Sequence, residues 1–182
     1  MKIATKRLLL RPFSLDDIDD VHAYSSNLNV TKYMEWGPNT YEDTKTFVKS
    51  VVRNHHNPAR LNHDFIVSLK DGKVIGACSL NFQELDKAPS LGWVYHEDFW
   101  GQGYGTEVGY ALLSYAFKTL KLRKVYATCD KENIGSKRIM EKIGMRFVEE
   151  KECSSKKMGS RIELRYELTA LEYNLNNHKT FI

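Results

Sequence analysis

Apolar positions along this chain alternate in some stretches and recur at helical spacing in others, and the switches mark out its elements. Residues 7–13, Arg-Leu-Leu-Leu-Arg-Pro-Phe, read as a short opening strand. Ser14 then caps a helix with Asp16 and Asp17 in its first turn and Ile18, Val21 and His22 on its inner stripe. Residues 27–39 read as a loop carrying Tyr33, Met34, Glu35, Trp36 and Pro38. Thr40 caps a second helix whose apolar face is Phe47, Val48, Val51 and Val52. Strands at 63–70 and 73–85 meet at Asp71-Gly72, a strong hairpin signal. A strand at 90–95 leads into a glycine-rich segment and a long helix with Val108, Ala111, Leu112, Tyr115 and Ala116 as its stripe. A strand at 123–129 precedes a helix over 133–143 that stops at Gly144. Residues 146–151 and 161–166 read as a closing pair of strands, joined by a polar linker at 152–160 that is expected to be mobile. The order β-α-α-β-β-β-α-β-α-β-β combines an antiparallel meander with crossovers. The expected class is therefore α/β (α+β) with a mixed sheet.

The glycine segment is Trp100-Gly101-Gln102-Gly103-Tyr104-Gly105-Thr106-Glu107. A glycine-rich turn at a helix start offers unpaired backbone N–H groups at the positive end of the helix dipole, which suits a phosphate or pyrophosphate. Side chains at Gly101, Gly103 or Gly105 would hold the backbone away from such an anion. The same glycines also fit a turn that needs positive φ angles before a helix, and the residues alone leave both readings open. No Lys-Ser or Lys-Thr pair closes the turn, so it is not a nucleotide-triphosphate loop. Its mid-chain position and its spacing exclude the dinucleotide fingerprint. Ligands of open α/β sheets bind at the carboxyl ends of strands where connectivity reverses, and the end of the 90–95 strand is such a place.

Composition narrows the setting. With 182 residues, 42% of them hydrophobic, the chain is expected to form one domain over 1–182, with 171–182 as a polar C-terminal tail. Apolar runs are too short for a membrane span. Met1-Lys2-Ile3-Ala4-Thr5-Lys6-Arg7 has no apolar export region, so a cytoplasmic setting is expected. Cys78, Cys129 and Cys153, odd in number and far apart, fit reduced thiols. The net charge of +4 is scattered among acids, which gives nucleic-acid binding little support. His55, His56 and His63 lack companion ligands at metal spacing, so no metal is expected. No nucleophile-elbow motif points to Ser/His/Asp hydrolysis.

The element order, the Gln102-Gly103-Tyr104-Gly105 turn and Asn133-Ile134-Gly135-Ser136 resemble the GNAT superfamily of N-acetyltransferases. Thr5-Lys6-Arg7-Leu8-Leu9-Leu10-Arg11, Gly92-Trp93-Val94, Trp100 to Glu107 and Glu141-Lys142-Ile143-Gly144-Met145 look like its RimJ/RimL-type branch, and the resemblance covers residues 3–170. It implies a mostly antiparallel mixed sheet of six to seven strands flanked by about four helices. It also implies direct acetyl transfer from acetyl-coenzyme A to a primary amine, either a protein N-terminal α-amine or a small-molecule amine, by a monomer or homodimer.

By the same resemblance, the backbone of Gly101, Gln102, Gly103, Tyr104, Gly105 and Thr106 would hold the pyrophosphate. Trp100 stands where many members carry Arg or Gln, so one ionic contact is expected to be missing. The backbone of Trp93 and Tyr95 would pair with pantetheine like an added strand. Val94 and Tyr95 N–H groups would face the developing oxyanion. Asn133 would bond the pantetheine arm, cap the following helix, or do both. The usual acidic Tyr is replaced by Met140, which leaves Ser136 to assist thiolate departure. Ser90 occupies the position of the usual basic Glu, so Glu84, Glu97, Glu35 and His96 remain as base candidates. Lacking a strong base favours low-pKa acceptors, because deprotonating a lysine amine at pH 7 costs roughly 4–5 kcal/mol and an α-amine about 1 kcal/mol. The weighed alternatives are a non-catalytic acetyl-coenzyme A-binding module and, on mild basicity alone, an RNA-binding protein. Acceptor choice is expected to reside in 27–39 and 153–160, the segments freest to vary.

Overall fold

A computed structural model describes residues 1–55, 57, 60–82 and 88–179. Eight strands form one sheet: β1 (Ile3–Ala4), β2 (Leu8–Arg11), β3 (Asn62–Leu69), β4 (Val74–Asn81), β5 (Ser90–Tyr95), β6 (Lys124–Asp130), β7 (Arg146–Ser155) and β8 (Gly159–Thr169). Their spatial order is β1-β2-β3-β4-β5-β6-β8-β7, antiparallel everywhere except between β5 and β6. Helices α1 (Ile18–Ser25), α2 (Leu28–Thr31), α3 (Tyr41–His55), α4 (Tyr104–Ser114), α5 (Ile134–Lys142) and α6 (Ala170–Lys179) complete the chain. The expected mixed, mostly antiparallel class holds. Among the described residues the sheet has one two-residue strand more than the expected six to seven, and six α-helices stand where about four were expected.

The central strands bury both faces, as Phe65-Ile66-Val67 illustrates, and so divide the interior into two cores. Phe65, Val67, Ile75 and Leu80 join Val108, Leu112 and Met140 of α4 and α5. Ile66 and Ala77 join Val21 and Tyr24 of α1 and Val48 and Val51 of α3. Gly105 sits where α4 meets α5. A Cβ there would overlap Ile139 Cδ1 and lie 3.1 Å from its Cγ1. That glycine therefore serves helix packing, a role the sequence reading did not assign it.

Two regions depart from the sequence reading. The stretch 152–160 is not a loose linker, because β7 and β8 pair continuously down to Ser155 opposite Gly159. Residues 171–179 of the expected tail form most of α6. Thr169 and Glu172 cap it through a 2.7 Å hydroxyl–carboxylate bond and a 2.8 Å bond from the Thr169 N–H. Tyr173 is buried against Phe117, with ring centroids 5.0 Å apart.

Lys157, in the β7–β8 turn, donates from Nζ to the carbonyls of Thr31, Met34 and Trp36 at 2.7, 2.9 and 2.6 Å. It thereby fixes the segment after α2 to the far end of the sheet. These bonds contribute about 1–2 kcal/mol, because water competes for an exposed ammonium. Lys157→Ala should lower the melting temperature by a few degrees, about 2–4 °C per kcal/mol for a chain of this size. It should also speed backbone hydrogen exchange in residues 31–37. Unchanged exchange there would show that the segment is held by other contacts.

Candidate active site

The site is built on the place where β5 leaves β6. The two strands pair only at Ser90 opposite Tyr126, with Tyr126 N–H donating to Pro89 O at 3.1 Å. On its other edge β5 is fully paired with β4. The bond from His96 N–H to Ile75 O, 2.9 Å, sets the phase of that ladder. Antiparallel alternation then gives the N–H and C=O of Gly92 and Val94 to β4 and turns those of Trp93 and Tyr95 toward the gap. Among the described residues no strand meets them there. Val94 is thus corrected as an oxyanion donor, since its N–H faces Ala77. Trp100 Nε1 donates to Tyr95 O at 3.0 Å. The Tyr95 phenol lies in the core, its hydroxyl has no partner among the described residues, and burial pushes it far up. Only the main chain of Tyr95 is offered to the gap.

The glycine turn follows directly. Gly101 and Gly103 have φ of +73° and +81°, and Gly103 is the N-cap of α4. The Glu107 N–H reaches Gly103 O at 3.1 Å, so those of Tyr104, Gly105 and Thr106 precede the first intrahelical bond. Gln102 Nε2 bonds Asp98 O at 2.8 Å and stiffens the turn. A cation from elsewhere in the chain braces the turn. Arg7 donates from Nη1 to Gln102 O at 3.0 Å, stacks 4.4 Å from the Tyr104 ring and pairs with Glu107 at 2.7 Å. Burial pushes the Glu107 carboxyl up, but bonds from Thr5 and Arg7 outweigh it and hold the group below the usual carboxylate range. Arg7 could not be singled out from the sequence, because it lies some hundred positions from the turn it serves.

Across the gap, α5 begins. Asn133 Oδ1 accepts from Ser136 N–H at 3.1 Å as its N-cap, which leaves the Asn133 amide N–H groups for another partner. Trp93 Nε1 donates to Ser136 Oγ at 3.2 Å, so the serine proton is free to point away from the indole. Met140 is fully buried and offers no acid.

Asn133, Ser136 and Trp93 line a cleft of ≈ 570 Å³ that passes between β5 and β6 and opens toward Tyr24, Tyr33, Met34, Trp36 and Phe47. None of the described base candidates lines it. Glu97 accepts from Asn27 and Asn29 at 2.6 and 3.0 Å, and these bonds hold it below the usual carboxylate range. Glu35 pairs with Arg161. His96 Nδ1 accepts from Asp98 N–H at 3.3 Å. Glu84 lies outside the described residues, as does His56, and His63 bonds the Tyr115 hydroxyl at 2.7 Å.

The carboxylate that does line the cleft is Asp64, which the sequence reading missed. It stands opposite Ser79 on β4, which in turn stands opposite Gly92 on β5, so the three form one row across the sheet. Burial pushes the Asp64 carboxyl up to about 6, opposed by Arg60. An Asp inside a strand beside Phe65-Ile66-Val67 runs against strand propensity, and that was the available signal.

Comparison with known proteins gives a consistent picture. A family model described as acetyltransferase (GNAT) domain matches residues 7–146. The chain is 39% identical over 147 residues to an uncharacterized N-acetyltransferase, YnaD, of Bacillus subtilis, covering 80% of this chain and 83% of that protein. A GNAT-family acetyltransferase from Bacillus anthracis superposes with a TM-score of 0.83 at 34% identity, covering 94% and 99% of the two chains. The RimL ribosomal L7/L12 α-N-protein acetyltransferase in complex with coenzyme A shares the fold at 19% identity, with a TM-score of 0.81 over 93% and 98%.

The Asp64 environment has a thermodynamic signature. A carboxyl whose folded value lies above its unfolded one costs stability as pH rises from about 4 to 6, by up to about 3 kcal/mol. Asp64→Asn removes that dependence. Its melting temperature relative to the parent should rise between pH 4 and pH 7. A constant difference across that range would mean that the carboxyl is well solvated.

Proposed function

We propose a reaction path from one premise: the chain belongs to the GNAT family of acetyltransferases and is an N-acetyltransferase. Acetyl-coenzyme A, which this family uses, supplies an activated acetyl group and a thiolate leaving group. The observation that carries the path is the open edge of β5 with a glycine turn at its end. An extended amide chain finds free backbone partners at Trp93 and at the Tyr95 N–H, and a pyrophosphate finds N–H groups at the start of α4.

In this path, Gly101 through Thr106 hold the pyrophosphate with Arg7 alongside, and Asn133 donates to the pantetheine arm through the amide that its capping role leaves free. Tyr95 N–H, turned into the gap, stabilises the oxyanion that forms when a primary amine attacks the thioester carbonyl. Ser136 donates its hydroxyl proton to the departing thiolate. With a thiol pKa near 8.5 that assistance is modest. The second reading, a non-catalytic binding module, drew its support from Met140 and Ser90. In this path Ser136 and Asp64, which line one cleft, stand in for the groups absent at those two positions.

Two outcomes test the path. Gly103→Val forces a branched residue to φ of +81° and places its side chain where the backbone should meet phosphate. Acetyl-coenzyme A binding in a calorimetric titration should vanish while a folded melting transition persists, and parental affinity would refute the assignment. Ser136→Ala should reduce kcat by roughly 10–100-fold, the lower range of proton-transfer assistance, with acetyl-coenzyme A affinity unchanged. A parental kcat from pH 6 to 9 would mean that the thiolate leaves unaided and that Ser136 only begins a helix.

A further inference from the structure

We propose that the cleft takes a compact primary monoamine with an apolar body, its nitrogen at the β5 end of the Asp64–Ser79–Gly92 row, and that Asp64 takes the proton from this nitrogen through Ser79 or water. The inference rests on the acetyl-transfer reading above and names its acceptor.

Charge decides first. Among the described residues lining the cleft, Asp64 is the one acid, and no Lys, Arg or His joins it. One carboxylate in such a cleft matches one ammonium. A polyamine would bring further ammonium groups into an aromatic-walled space with no second carboxylate to meet them, at the desolvation cost of each unpaired charge. The wall decides next. Tyr33, Met34, Trp36 and Phe47 present apolar and aromatic faces, and Trp36 and Phe47 remain 40% and 44% exposed where they could cover a ligand. Aromatic faces favour both an apolar body and a neighbouring cation. The polar side chains that share the cleft, among them Ser25, Asn39, Asn62 and Asn81, are neutral, and a peptide's terminal carboxylate would find no Lys, Arg or His among the described lining residues.

Position supports the proton transfer. The row Asp64–Ser79–Gly92 leads from the carboxylate to the β5 edge. Gly92 contributes no side chain, and a Cβ there would lie 2.9 Å from Ser79 Oγ. Ser79 Oγ accepts from Asn81 Nδ2 at 2.9 Å, so its own proton is available toward Asp64. The ammonium gives one proton to Asp64 through Ser79 or water and becomes a nucleophile. Its lone pair forms the C–N bond to the acetyl carbon, the C–S bond breaks, and the sulfur takes a proton from Ser136. The second proton leaving nitrogen returns through solvent to Ser136, and Asp64 releases its own to water. Among the described residues, Arg60 opposes the raised value of Asp64 and Cys78 feels its charge, while Tyr24, Tyr33 and Cys129 line the same cleft, and none of these is a second carboxylate or an imidazole.

The test is release of coenzyme A at saturating acetyl-coenzyme A with four acceptors: 2-phenylethylamine, n-hexylamine, spermidine and a tetrapeptide with a free N-terminal serine. One of the two apolar monoamines should exceed spermidine and the peptide at least 10-fold in kcat/KM. The reverse preference, or no turnover of either monoamine, overturns the acceptor assignment. With the better monoamine, Asp64→Asn should lower kcat/KM about 10²–10⁴-fold and remove the fall in activity below about pH 6, while Asp64→Glu restores part of the rate. Parental activity, or an unchanged acid limb, in a folded Asp64→Asn chain overturns the proton-transfer role. Calorimetric titration of the parent with acetyl-coenzyme A separates the two levels. Loss of the acceptor pattern with binding intact refutes this inference alone, and absence of binding refutes the acetyl-transfer reading beneath it.

Discussion

The architecture turns on the parting of β5 from β6. Two neighbouring parallel strands ordinarily satisfy each other's main chain along their length, and a buried N–H or C=O without a partner costs free energy comparable to a lost hydrogen bond. Here the pairing stops after Ser90 and Tyr126. The rest of β5 is held from one side only, by β4, so Trp93 and Tyr95 present main-chain groups to an open wedge. Helices pack on both faces of the sheet. On one side α4 and α5 meet through Gly105 and Ile139, and on the other α1 and α3 cover Ile66 and Ala77. The glycine turn, the start of α5 and the cleft are all arranged around that gap.

Much of this was legible in the chain itself. The 90–95 strand, the Asp71-Gly72 hairpin and the helix ending at Gly144 were set by local patterns that tertiary structure did not override. The glycine turn was legible because positive φ before a helix leaves a signature in residue type. The misses share a different cause. Residues 152–160 are polar since they form an exposed edge hairpin, and polarity alone does not separate an edge strand from a loop. Arg7 acts across the fold on a turn whose partners are distant in sequence. Glu97 and Glu35 were reasonable bases by type, but Asn27, Asn29 and Arg161 had claimed them, and no local pattern shows that.

Asp64 illustrates how a site can run against the stability of its own fold. A carboxylate in a partly buried row, with its charge opposed by burial and relieved only in part by Arg60, is a poor choice for a strand that needs only to hold a sheet together. Lining a cleft with Tyr33, Trp36 and Phe47, the same raised carboxyl suits the proton transfer proposed above. Lys157 adds a second constraint. Its three carbonyl bonds tie the Thr31–Trp36 stretch to the β7–β8 turn and so fix residues that line the same cleft as Asp64.

The most direct measurement is residue-resolved amide hydrogen exchange on β5 with and without acetyl-coenzyme A. Strand-like pairing into the wedge requires that the Tyr95 amide, and Trp93 beside it, become protected on binding. Val94, already bonded to β4, should not change. That alternating pattern is the predicted result. Uniform protection across Trp93, Val94 and Tyr95, or none at Tyr95 in a chain that binds the cofactor, would contradict the account.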